Sequence, residues 1–411
     1  MAGNKVTLSN HSELFKEFYV PIMEAAINTA TPMRTQIKRI KNFTGKQITG
    51  VARRSRGGGS GNAVIPASST RKSDPISYTP RSLWQTSVLD WEAMVASGDD
   101  KGAFVDVTVD EVEGCMENFT ANESRQIFGT SAGILGVLNA VPTSAGGGVF
   151  TFSISDATWF SPNWEEGDVI NFHTDTDGFE ITAVSDSAQD ITVSRRAGGS
   201  FDPTTLAGTE NIYKQNSKDV ELTGLKDIAD ATVGVTSLYG LTAGRRWIAR
   251  VQDLSAAPKP LIPDMLTQMC ALHHDATGMQ YSSIVMNAIQ YNDLENQLEG
   301  KKEYTQLKSN DSRYADMGWE ALTIRSRGEK VSIFTDLFCP KDRVYFITAS
   351  KQEMRERPKF GWLEHDGKQY LREFYEGQTP RYKAVYGGYE QYFHHPAYLG
   401  CIKGLAVPTS S

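Results

Sequence analysis

The sequence predicts an α+β fold in which one long helix and one long extended hairpin accompany a small all-β module. Three observations lead there. The stretch from Lys38 to Arg81 carries ten Lys or Arg residues against one acid, Asp74, around a Gly57-Gly58-Gly59-Ser60-Gly61 centre. Residues 108–129 have the caps and apolar stripe of a helix. Residues 149–220 alternate apolar and polar in short runs at roughly ten-residue spacing, the pattern of a sandwich or barrel.

With 411 residues, of which 39% are hydrophobic and 22% charged, the chain is long enough for two or three cores. Its 36 glycines and 10% aromatic content favour strands and turns over helical bundles. No apolar run approaches the roughly 20 residues of a membrane span, and the N-terminus lacks a signal-peptide core. A soluble protein made in a cytoplasm, with no membrane partner, is expected. Cys115, Cys270, Cys339 and Cys401 are scattered without a CxxC spacing, so buried thiols are expected.

Taken in order, residues 1–44 read as an amphipathic N-terminal arm. A helix is predicted over 12–41, with Ser12 placed to cap it, Leu14, Phe15, Phe18, Ile22 and Ala26 at helical spacing, and Pro32 interrupting. Residues 45–100 read as the extended loop. Ile48 and Val51 lie on its outgoing side and Ile76, Tyr78 and Leu83 on its return, while Pro66, Pro75 and Pro80 disqualify it as a central strand. Arms of some 20 residues at about 3.3 Å each would reach on the order of 60 Å.

The chain has net charge −7, so the +9 of the Lys38–Arg81 finger leaves −16 on everything else. One reading of the finger is nucleic-acid binding through Arg53-Arg54-Ser55-Arg56-Gly57, although few aromatics stand nearby for base stacking. The favoured reading is docking on an acidic neighbouring copy, with Lys46, Arg53, Arg54, Arg56, Arg71, Lys72 and Arg81 as the docking residues.

Residues 101–148 hold the clearest helix. Thr108-x-x-Glu111 is a capping box, Asp110, Glu111 and Glu113 crowd the first turn, and Val109, Val112, Met116, Phe119 and Ile127 make the stripe. Gly114 costs about 1 kcal/mol inside a helix, so a packing reason is expected, and Gly129 is placed to end it. The inserted β-rich module is assigned to 149–222. Residues 223–380 mix helices and strands: a helix opening at Pro263 with Leu261, Met265, Met269 and Leu272 on its apolar side, and strands over 284–286, 331–334 and 344–347. The polar stretch 300–316 reads as an exposed loop. Residues 381–411 are assigned to C-terminal strands and a tail.

Motifs with chemical potential yield to plainer readings. Gly129-Thr130-Ser131-Ala132-Gly133 matches GxSxG, but it follows a helix, where a nucleophile elbow needs a strand-to-helix turn. His173-Thr174-Asp175-Thr176-Asp177-Gly178 opens like a calcium loop, yet its twelfth position is Val184, which has no carboxylate; Asp177-Gly178 reads as a hairpin turn. His273-His274 is read as solvent-facing polarity at a helix end and His394-His395 as a strand end before Pro396, neither in a metal-binding frame. The glycine triplets at 57–59 and 146–148 lack the Gly-Lys-Ser/Thr of a phosphate loop. No catalytic residue, metal site or cofactor is predicted, and the protein is not expected to be an enzyme.

The order of an amphipathic arm, a Gly-tipped extended hairpin, a capped long helix and mixed segments resembles the tailed-bacteriophage major capsid proteins, with the Hong-Kong-97-type capsid fold. The segment Phe128-Gly129-Thr130-Ser131-Ala132-Gly133 and the helix-then-strand unit Leu261 to Asn287 are also similar to that family. The resemblance implies an N-arm, an E-loop, a spine helix, and peripheral and axial domains, the last mostly within 223–380. It implies a structural subunit of the virion that self-assembles as hexamers and pentamers into an icosahedral shell around double-stranded DNA, without sequence-specific DNA binding, in the host bacterial cytoplasm. The E-loop would lie across a neighbouring copy, and Phe15, Phe18 and Ile22 of the N-arm would grip one. A portal would be a further partner, with a decoration protein or a separate scaffold, because the helical arm starts within a dozen residues of Met1. Lys46 and Lys72 lie in the E-loop, but no motif marks a cross-linking partner, so no covalent cross-link is predicted. An encapsulin-like compartment shell, a phage tail or baseplate component, and an Arg-rich nucleic-acid-binding protein are the alternatives.

Overall fold

The computed structural model describes residues 31–41, 43, 45–53, 73–90, 101–155, 158–172, 178–196, 198–244, 246–298, 323–326, 329–358, 360–364, 370–373 and 381–407. The mixed α+β class holds: a few helices lie among three larger sheets and several short strands.

The spine helix runs Lys101–Phe128, starting seven residues before the capping box. Thr108 and Glu111 are therefore interior, and the box does not cap. Nothing between Lys101 and Thr108 beyond Gly102 resists helix formation, so the helix extends back past its sequence signal. Gly114 has open space where a Cβ would stand, so the expected packing reason is absent. The end falls where expected, with Gly129 N–H turning back to Gln126 O at 3.2 Å. There the short helix Leu225–Ala229 abuts it through its N-cap, Gly224; a Cβ on Gly224 would lie 2.4 Å from Gly129 O, so only glycine fits.

One six-stranded sheet is built on the long strand Arg381–His394. Along one side it pairs antiparallel with Arg81–Asp90 over ten residues. Along the other it pairs in turn with Gln352–Glu356, Gly361–Trp362 and Tyr370–Glu373. Lys38–Ile40 adds as a parallel strand outside Gln352–Glu356. Lys38 to Ile40 are thus extended rather than helical; the only described helix of the arm is Pro32–Gln36. Leu83 sits in the sheet strand Arg81–Asp90 and does not belong to the hairpin.

A second six-stranded sheet has the order Arg250–Asp253, Gly400–Lys403, Arg343–Ile347, Ser283–Met286, Glu329–Thr335, Thr323–Ser326. Its central strands Ser283–Met286 and Arg343–Ile347 are buried throughout, as continuous apolar runs require. The helix Pro263–Thr277 covers it with Met265, Leu266, Met269 and Cys270, and ends on Gly278 at φ +74. Leu272, expected on the apolar side, is 52% exposed.

The third unit is a seven-stranded antiparallel sheet, ordered Ile134–Val137, Asn211–Lys214, Val169–Phe172, Phe179–Ser185, Asp190–Arg195, Val149–Ser153, Thr143–Gly146. A bridge between Leu138 and Ile154 brings the first strand back to the sixth, so the sheet curls towards closure. Its own core holds Phe150, Phe152, Phe172, Phe179, Ile191 and Val193. The strands on either side of Asp177-Gly178 pair antiparallel, although residues 173–177 lie outside the described residues. All four cysteines are buried free thiols.

Candidate interaction surface

The extended hairpin is present at its root. Ile48–Arg53 pairs antiparallel with Ser73–Tyr78, from Ile48 opposite Tyr78 to Arg53 opposite Ser73, and among the described residues with no third strand. One face of the root is anchored: Ile48, Ala52, Ile76 and Tyr78 are buried in the main core. The Tyr78 ring stacks on Phe393 at 5.2 Å and meets Tyr239 edge-on at 5.5 Å. Ser77 N–H donates to Tyr239 O at 2.8 Å. The opposite face is bare, with Val51 66% exposed. Aromatic contacts of this kind add about 0.5–1.5 kcal/mol each beyond area burial, so the root is fixed to the body.

Beside the root, the outer face of the first sheet carries an apolar strip. Trp84 (41% exposed), Val88 (47%) and Tyr389 (39%) stand there, with Trp84 and Tyr389 in edge contact at 6.1 Å. The opposite face of the same strands, with Leu83, Ser87 and Ala384, is buried on the side of the spine helix.

Beneath that helix lies a buried ionic junction. Arg34 Nε meets Glu123 Oε2 at 2.5 Å, Arg39 Nη2 pairs with Glu123 Oε1, and Arg39 Nη1 meets Glu356 Oε1 at 2.6 Å. Lys41 approaches Glu356 at 3.8 Å from a more exposed position. Burial opposes the charge on Glu123, but Arg39 and Arg34 outweigh it and hold the carboxyl below its usual range. Burial likewise opposes Arg39, yet Glu123, Glu390 and Glu356 raise its pKa. Glu390 is the surplus acid: fully buried, with no hydrogen-bond partner for either oxygen. Burial and the charge of Glu123 push its carboxyl well up, so it stays protonated. The same N-terminal segment is held at Met33, whose N–H donates to Asp336 Oδ2 at 3.2 Å. Burial lifts the Asp336 carboxyl to about 6.

These positions redraw the basic finger. Arg39 does not extend from the body; it neutralises Glu123 and Glu356 inside it, with Lys41 at the exposed edge of Glu356. Arg81 opens the sheet strand and is half-buried. What remains between Lys46 and Tyr78 is six basic residues against Asp74. Lys46 is exposed beside the root, and Arg53 closes the outgoing strand. Arg54, Arg56, Arg71 and Lys72 lie outside the described residues, as do Phe15, Phe18, Ile22 and the 300–316 stretch. The acidic counterweight is uneven: residues 134–214 carry eleven acids against Arg195, Arg196 and Lys214.

Sequence reasoning missed Arg34, Glu123, Glu356 and Glu390. Glu123 had a signal, since it falls on the same helical face as Met116, Phe119 and Ile127, where an acid demands a partner. The GxSxG segment is a helix-end turn, with Asp227 accepting from Ser131 N–H at 2.6 Å. His394 ends its strand as expected. His273 does not face solvent: it is fully buried against Tyr281. Among the described residues, no three His, Cys, Asp or Glu side chains gather as a metal site.

No protein-family model matches the chain, and no curated protein matches it. Solved structures do. The cyanophage A-1(L) capsid asymmetric unit aligns at TM-score 0.54 and 11% identity, covering 92% of this chain and 93% of that one. The capsid of the native GTA particle aligns at TM-score 0.46 and 11% identity over 92% of this chain and 91% of that chain. The holo-SrpI encapsulin complex from Synechococcus elongatus PCC 7942 aligns at TM-score 0.42 and 6% identity over 92% and 89%. The first of these fixes the fold: the chain has the Hong-Kong-97-type capsid architecture along almost its whole length.

Proposed function

We propose that the chain is the major capsid protein of a tailed bacteriophage, assembling with itself as hexamers and pentamers into an icosahedral shell around double-stranded DNA. The observation that carries this is the hairpin. Its root is locked into the main core by Tyr78, Ile48 and Ile76, its other face is bare, and its beyond-root sequence is basic. Among the described residues the hairpin strands pair with no third strand, and a two-stranded hairpin is marginal in water by itself, so a neighbouring copy is a natural support for its bare face. Lys46, Arg53, Arg54, Arg56, Arg71 and Lys72 supply charge for docking on an acidic neighbour and set register more than affinity. Phe15, Phe18 and Ile22 supply apolar contacts from the N-terminal arm. The role is structural and non-enzymatic; a portal and a scaffold or decoration protein are further partners in the virion, and assembly takes place in the host cytoplasm.

Electron microscopy of the purified protein tests the shell directly. Closed icosahedral particles are expected; a protein that stays monomeric under all assembly conditions rules the reading out. Enzyme cargo inside such particles, in place of DNA, would reassign them to an encapsulin-like compartment. Steep, salt-dependent DNA binding by the isolated protomer would instead favour a nucleic-acid-binding role for the finger.

A further inference from the structure

Two crossings between the six-stranded sheets run side by side. Residues 348–351 lead from Arg343–Ile347 into Gln352–Glu356, and residues 395–399 lead from Arg381–His394 into Gly400–Lys403. The crossings are tied together: Thr348 Oγ1 donates to Tyr398 O at 3.1 Å, and His395 N–H donates to Lys351 O at 3.1 Å. Lys351 Nζ also stands 5.1 Å from the centre of the Tyr398 ring.

Three histidines pack on these crossings. His273, from the helix over the second sheet, stacks on Tyr281 at 3.9 Å and meets Tyr398 edge-on at 6.0 Å. His395 meets Tyr398 at 4.9 Å and Trp247 at 4.8 Å. His394, fully buried, ends the long strand of the first sheet.

Hydrogen bonding sets the tautomers of two rings. The Thr277 hydroxyl donates to His273 O at 2.9 Å, so His273 Nε2, 3.2 Å from Thr277 Oγ1, is the donor of that pair. Its Nδ1 is left with a lone pair and no partner. His394 Nδ1 lies 3.1 Å from the His395 carbonyl, which only accepts, so Nδ1 carries the proton and Nε2 is bare and unpartnered. His395 Nδ1 is buried without a partner as well.

The charged and titratable groups around these rings offer no relief. Arg250 and His274 act on His273, Lys351 acts on His395, and His273 and His395 act on His394. The Tyr239 hydroxyl accepts from His394 N–H at 3.4 Å, and Tyr281 borders Cys270, Cys401 and Arg250. Among the described residues, no carboxylate acts on any of the three rings. A proton arriving at a bare nitrogen would create a buried cation facing other cations, with nothing to accept its N–H. Burial accordingly holds His273 down to about 4, His394 to about 3 and His395 to about 4.

We propose that the paired crossings are an acid-released latch between the two six-stranded sheets, closed while His273, His394 and His395 are neutral and opened when the freed imidazoles take up protons. The sign follows from folded pKa values depressed below the ordinary 6.5 of an exposed ring. Stability of the closed junction is complete above about pH 6.5 and is lost as pH falls towards 4, each ring weighting the opening equilibrium by up to about tenfold per pH unit. Opening would release the Tyr398, His395 and Trp247 packing at short connecting segments, where a hinge absorbs a change in domain orientation. The latch does not depend on what the chain assembles into.

Native-state hydrogen exchange of the full-length protein between pH 7 and pH 4.5, corrected for intrinsic rates, tests it. Amides of Arg343–Ile347, Gln352–Glu356 and Gly400–Lys403 are expected to open more than tenfold faster per pH unit below 6.5, while Asp190–Arg195 of the seven-stranded module stays level. The double variant His273→Phe, His395→Phe keeps the ring packing without the basic nitrogens and should flatten that dependence at least tenfold. A wild-type junction that opens no more than the module, or a variant that responds like wild type, overturns the latch. Should the variant fail to fold, ring titration of the wild type by NMR decides: a midpoint near 6.5 for any of the three overturns it, and rings that stay neutral until the junction opens support it.

Discussion

Two buried polar junctions hold this molecule together, and they are opposites. Under the spine helix, Arg34 and Arg39 meet Glu123 and Glu356 in matched pairs, with one surplus acid, Glu390. At the sheet crossings, three neutral imidazoles each leave a buried ring nitrogen without a partner in an apolar, cationic surrounding. The first gains from charge and the second from its absence. A buried ion pair costs dearly when one partner is removed, whereas a buried neutral base without a partner costs modestly as it stands and far more when it is forced to ionise.

That contrast can be broken in graded ways. The largest effect is expected from Glu123→Gln, which strands the Arg34 guanidinium and leaves Arg39 with Glu356 alone, and should lower stability by about 3–5 kcal/mol, read as the chemical-denaturation midpoint. Arg39→Met should cost about 3 kcal/mol by freeing Glu123 and Glu356 from one shared cation, and the loss should shrink in the double variant with Glu356→Gln if the pair is coupled. Glu390→Gln should act in the other direction. Its folded pKa is raised, so its contribution is present in acid and lost as pH rises; the amide should stabilise the protein by about 1 kcal/mol for each pH unit above the ordinary carboxylate range. A denaturation series from pH 5 to 8 reads this, and a Glu390→Gln variant less stable than wild type at pH 8 would mean that the carboxyl has an ionised role. The smallest effect belongs to Asp336, raised to about 6: its share of stability is complete below pH 4 and fades through pH 6, and Asp336→Asn should flatten that part of the profile by about 1–2 kcal/mol.

The same contrast marks how far the sequence could be read. The spine helix was legible because Met116, Phe119 and Ile127 repeat at helical spacing, and the strands around 284, 331 and 344 because their apolar runs are continuous. The hairpin root was legible from Ile48, Ile76 and Tyr78. The start of the helix was not, because the helix runs through Gly102 and the capping box at Thr108 was a false stop. The charges of the arm misled most: Arg39 looked like part of a projecting finger, since its partners Glu123 and Glu356 lie 84 and 317 residues away. His273 looked polar and peripheral in part for the same reason: Tyr281 follows just beyond its own helix, but Tyr398 is brought to it only by the tertiary fold. Pairing across long sequence separations leaves no local trace.

The seven-stranded module enters and leaves the body at one place. Asp219 N–H donates to Ala132 O at 3.1 Å, Glu221 grips Arg125 of the spine helix, and Leu222 N–H donates to Gln126 Oε1 at 3.2 Å. With its own core and adjoining ends, it has the form of an interchangeable cassette: a short turn can join Ala132 to Asp219 in its absence, or a foreign domain with neighbouring termini can take its place, while the scaffold that receives it keeps its own geometry.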